Sequence, residues 1–84
     1  MNTTSIQDKI REIVTDYSSF SVSSPAVFSA LLFEDDLGFD SLDVAEIALR
    51  AETEFNITIS DAETGRLDKV SDLEKLVQTK LGNG

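Results

Sequence analysis

Apolar side chains recur at helical spacing in three separate stretches of this chain, and no stretch alternates convincingly as a half-buried strand would. Ile6, Ile10, Ile13, Val14 and Tyr17 follow the order i, i+4, i+7, i+8, i+11, one stripe of an amphipathic helix. Val44, Ile47, Ala48, Ala51 and Phe55 fall within one sector about 100° wide when residues 41–55 are wound at helical pitch. Leu73, Leu76, Val77 and Leu81 share a face near the end of the chain. With 84 residues there is material for one small core only. The pattern therefore predicts a single all-α domain over residues 1–84, a small four-helix bundle. Three longer helices and one short one are expected, with a long loop between the first two.

The polar residues mark the boundaries. Thr4 with Gln7 is a candidate capping box for the first helix, and Asp40 is the candidate cap of the second, expected over Ser41 to Phe55. Ser60 with Glu63 opens the short third helix, which Gly65 limits. Ser71 with Glu74 has the same spacing ahead of the last helix, and Gly82 stands where a helix C-terminus favours glycine. "NITI" reads as an extended connector. Residues 18–39 form an unusually long connection, tied to the core by Val22, Phe28, Leu31, Phe33 and Leu37, with Gly38 marking a turn.

Several classes of chemistry are excluded by what is missing. The chain has no cysteine and no histidine, hence no disulfide, no thiolate metal site, no thiol nucleophile and no imidazole base. The N-terminal "MNTTSIQDK" lacks a basic start and an apolar stretch, so no signal peptide is expected, and no apolar run approaches membrane-spanning length. The expected location is the cytoplasm. Nucleic acid is disfavoured by the net charge of −9. That charge is concentrated: residues 34–63 hold ten acids and one base, Arg50, while the rest of the chain is neutral. A local field of one sign suits the steering of basic partners.

The 41–55 helix carries a second apolar cluster, Leu42, Ala45 and Leu49, nearly opposite the first and flanked by Glu46, Glu52 and Thr53. Either the long loop covers this cluster or it is a docking surface; an apolar strip rimmed by acids has the layout of an interface. Ser41, in "DLGFDSLD", also has two readings. A serine at a helix start is commonly a cap, but Asp40 competes for that role and would leave the hydroxyl pointing outward. A phosphate on it would sit at the helix N-terminus, where unpaired N–H groups favour negative charge. No base adjoins it in sequence to make it a catalytic nucleophile. The nearby acids Glu34, Asp35, Asp36, Asp40 and Asp43 do not fit an EF-hand loop and point at most to weak, nonspecific cation binding, so no metal site is assigned.

The stretch "FEDDLGFDSLDVAEIALRAETEFNITISD" (residues 33–61) resembles the central segment of acyl carrier proteins: an aromatic, acids, Asp-Leu-Gly, one variable residue, Asp-Ser-Leu-Asp, and a helix ending in Glu-x-Phe. Helix order and spacing agree over nearly the whole chain. The resemblance implies that Ser41 carries a covalent 4′-phosphopantetheine, added from coenzyme A by a phosphopantetheinyl transferase, whose thiol holds acyl groups as thioesters. It implies that Asp40, Leu42 and Asp43 present the serine to that transferase. Asp43, Glu46, Leu49 and Glu52, beside Ala45, match positions that meet basic patches on acyl-loading and acyl-using enzymes. Ile47, Ala51 and Phe55 match positions lining an interior that can shelter an acyl chain. The chain would then be a monomeric carrier and not an enzyme, serving fatty acid, lipid or polyketide-type synthesis. Arg50, Thr53, Ser60, Gly65 and the small Ala45 depart from the family's usual residues, which fits a dedicated, specialised member. Two alternatives stay open: a carrier of aminoacyl or peptidyl units, and an unmodified acidic helical module that binds through the Leu42/Ala45/Leu49 face.

Overall fold

The computed structural model describes residues 3–19 and 24–82, and every element in them is helical: α1 (Thr3–Ser18), α2 (Pro25–Ala30), α3 (Ser41–Phe55), α4 (Asp61–Thr64) and α5 (Val70–Lys80). The stripes read from the sequence face inward. Ile6, Ile10 and Val14 of α1, all five predicted positions of α3, and Leu73 and Val77 of α5 are buried in one cluster, with Ile13, Tyr17, Leu76 and Leu81 packed at its edge. α1 packs against both α3 and α5, the small-bundle arrangement expected. It begins at Thr3, so Thr4 stands inside its first turn rather than before it; the side chain of Thr4 lies outside the described residues.

The long connection differs from expectation, because it contains a helix of its own. Ser24 is extended and its Oγ accepts a hydrogen bond from Val27 N at 3.3 Å. Pro25 follows at the first helical position, where its missing N–H and restricted φ are no handicap. This helix, α2, carries Phe28 into the core, and Phe33 follows after the next turn; both are almost fully buried. Burying a side chain of that size contributes about 1.5–3 kcal/mol, enough to offset ordering one or two backbone residues at roughly 1–2 kcal/mol each. Leu31 and Leu37 pack on the cluster as expected, while Val22 lies outside the described residues.

The second revision concerns α5, which starts at Val70 and not after Ser71. Asp72 Oδ2 accepts from Asp68 N at 2.9 Å and Lys69 N at 3.1 Å, satisfying donors ahead of the helix. Glu74 does not turn back to cap; it is drawn inward and accepts from Ser29 Oγ on α2. The segment before α5 also pairs with the loop after α2 through Phe33 N to Asp68 O (2.9 Å) and Val70 N to Leu31 O (3.0 Å). These bonds fix the loop that leads to α3.

Candidate functional site

Two devices set the entrance of α3. Gly38 turns the chain with φ +69, a conformation in which most side chains are strained. Phe39 is then buried, stacked on Phe33 at 6.1 Å between ring centroids and met edge-on by Tyr17 at 5.6 Å. Its N–H donates to Phe33 O at 2.8 Å. With its neighbour clamped this way, Asp40 takes an extended backbone and caps the helix: its Oδ1 accepts from Asp43 N at 2.9 Å, and Asp43 Oδ2 accepts from Asp40 N at 3.0 Å. The reciprocal box satisfies two donors that the helix end leaves open.

Ser41 is consequently the first helical residue rather than the cap. It is exposed, and its hydroxyl makes no hydrogen bond to a described residue. Of the two readings of this serine, the outward hydroxyl is the observed one. Beside it opens a cleft of about 410 Å³ with an apolar floor from Phe33, Phe39, Val44, Ala45 and Leu67, and with Glu34 and Asp61 on its walls. Thr64 and Leu67 were not singled out from the sequence, and Val44 was read only as a core position; their place beside Ser41 follows from α3 meeting α4, which no local pattern encodes. Among the described residues, no three His, Asp or Glu side chains are arranged to hold a metal ion.

Leu42 is 78 % and Leu49 58 % exposed, so the long loop does not cover the second apolar cluster; Ala45 is half-buried and lines the cleft. The acids around it each have a partner within the chain. The Tyr17 hydroxyl donates to Asp43 Oδ1 at 2.5 Å, which lowers the Asp43 pKa, helped by the Asp40 N–H; the same bond raises that of Tyr17. Arg50 Nε donates to Glu46 Oε2 at 3.2 Å, and its guanidinium carbon lies 5.2 Å from the centroid of the Tyr17 ring. Glu52 Oε2 accepts from Ile59 N at 3.0 Å, tying the connector to α3. Ile47, Ala51 and Phe55 lie in the packed core and do not line the cleft at Ser41.

No described residue hydrogen-bonds the Ser41 hydroxyl, and both neighbouring aspartates are engaged with backbone N–H groups. The site presents a hydroxyl on a helical scaffold without activating it. Residues 8–78 match the family model described as the phosphopantetheine attachment site. An acyl carrier protein from Solidesulfovibrio magneticus is 36% identical over 78 residues, which span 93% of this chain and 97% of the relative. The crystal structure of an acyl carrier protein from Thermotoga maritima superposes with a TM-score of 0.80 at 32% identity, covering 98% of this chain and 93% of that one. A hexanoyl carrier protein of the actinorhodin polyketide synthase from Streptomyces coelicolor gives 0.72 at 29% identity, over 92% and 91%. The chain belongs to the acyl carrier protein family. Phosphopantetheine is the group attached in that family, and the site fits it: an exposed hydroxyl without a partner among the described residues, at the start of a fifteen-residue helix, beside an open cleft. No described helix is long and apolar enough to cross a membrane.

Proposed function

We propose that Ser41 is the attachment point for phosphopantetheine, and that the whole chain works as one non-enzymatic carrier domain in the cytoplasm. The observation that carries this reading is the division of labour at the α3 entrance. Asp40 supplies the cap, which leaves the Ser41 hydroxyl exposed and unbonded among the described residues. A phosphate there meets the N-terminal end of the α3 dipole. When attached, phosphopantetheine supplies the thiol that holds an acyl group as a thioester, which the chain cannot provide without a cysteine.

Asp40 orients the serine through the cap, and exposed Leu42 gives the transferase an apolar grip beside it. Leu42 and Leu49, with Asp43 and Glu46 on one flank and Ala45 and Glu52 on the other, form the docking face for the transferase and for acyl-handling enzymes with basic patches. The exposure of both leucines supports this. Ile47, Ala51 and Phe55 furnish an apolar interior for an acyl chain; their burial in the core supports its apolar character. The exposed, singly basic Arg50 on an acidic helix supports assignment to a specialised pathway rather than to bulk fatty acid synthesis.

Incubation with coenzyme A and a broad-specificity phosphopantetheinyl transferase, followed by intact mass, tests the assignment. One phosphopantetheine mass is expected on the native protein and none on Ser41→Ala. A gain on the alanine variant, or no gain on the native protein, overturns it.

A further inference from the structure

Arg50 is the one base among ten acids between residues 34 and 63, and its charge is engaged by groups of its own chain. Its guanidinium is held on two sides, by Glu46 Oε2 at 3.2 Å and by the face of Tyr17 at 5.2 Å. Tyr17 is itself anchored by its hydroxyl on Asp43. The docking acids Asp43 and Glu46 are therefore linked through α1 into one chain of contacts: Asp43, Tyr17, Arg50, Glu46. A cation arriving from a partner does not meet a bare carboxylate at Glu46. It meets one that already has a counter-ion.

The Arg50–Glu46 pair is half-exposed on both sides, and pairs of that kind are weak and easily exchanged. Arg50 also overhangs a groove of about 360 Å³ between α1 and α3, where Ile13 and Leu49 are flanked by Asp16, Glu46 and Glu54. With the guanidinium displaced from Glu46, the apolar strip is rimmed by Asp16, Glu46 and Glu54, the last of which lies 3.8 Å from Lys9 Nζ. That surface fits a protein partner presenting a cation for Glu46 next to an apolar side chain for Leu49.

We propose that Arg50 is a specificity-determining residue of this docking face: as internal counter-ion to Glu46, it admits only partners whose own cation displaces it. The proposal rests on the docking reading above and names the residue that tunes it. A partner that engages α3 only near Ser41 pays no such competition, whereas one that reaches Glu46 does.

The test measures steady-state phosphopantetheine transfer to the native protein, Arg50→Gln, Arg50→Lys and Lys75→Gln at low and high salt, using one transferase whose basic patch reaches Glu46, chosen because Glu46→Gln raises its KM. Lys75, exposed on α5, controls for net charge alone. Arg50→Gln is expected to lower KM about three- to tenfold at low salt with kcat unchanged, a difference that shrinks at high salt. Arg50→Lys keeps a cation and stays within about twofold of native, as does Lys75→Gln. An unchanged or raised KM for Arg50→Gln overturns the proposal, and so does an equal fall for Lys75→Gln or Arg50→Lys. Failure of the native protein to be modified at all would instead count against Ser41 as the attachment point, so the two readings fail separately.

Discussion

Ser29 Oγ donates to Glu74 Oε2 at 2.8 Å, joining the six-residue α2 to the middle of α5. Glu74 is a charged side chain inside the core, and burial raises its pKa, offset in part by hydrogen bonds from Ser29 and Gln7. The sign follows from linkage. The unfolded chain gives up this proton near the ordinary value of 4.5, before the folded one does, so ionisation weakens the fold as pH rises above it. Glu74→Gln keeps an acceptor for Ser29 and removes the charge. Its melting temperature should match the native protein near pH 4 and exceed it by a few degrees at pH 7, by thermal scans of both at each pH.

Tyr17→Phe keeps the ring that packs on Phe39 and deletes only the donor to Asp43. Asp43 has a depressed pKa, so its stabilising contribution is present above the usual 3.8 and is lost as pH falls through the depressed value. The variant should melt a few degrees below native at pH 7, with the gap closing well below pH 3.8, and a carboxyl NMR titration should show Asp43 moving back up.

At Gly38 a Cβ would meet nothing within 4 Å, so only the backbone opposes substitution. Gly38→Ala should destabilise by about 1–2 kcal/mol in urea titration, with an unchanged denaturant slope.

Phe28 tests whether α2 belongs to the core or merely rests on it. Phe28→Ala should cost about 3–5 kcal/mol, a large share of the roughly 5–15 kcal/mol that holds a small domain, and urea denaturation reads it directly.

α3 was legible in full because its signals are local: Asp40 before it, an apolar period through it, and five inward positions that agree with one another. α2 was not, since six residues hold fewer than two turns and a single buried side chain. Its one available signal was Ser24 followed by Pro25, a cap and a first-turn proline. The start of α5 was misread for a different reason. Ser71 and Glu74 have the spacing of a capping box, but the carboxylate is claimed by Ser29, 45 residues away. At the site, the exposed Leu42 and Leu49 were readable from helical geometry. That Asp43 is held by Tyr17, 26 residues earlier, was not, because hydrogen bonds between helices leave no trace in either helix's own pattern.

The capping of α3 by Asp40 has a consequence for anyone working on position 41. The helix does not depend on that hydroxyl to begin, so the serine carries almost no architectural duty. Most residues at helix entrances confound two effects when replaced, since folding and chemistry fail together. Here the two are uncoupled, and position 41 behaves as a socket whose fitting can be swapped while the housing stays intact.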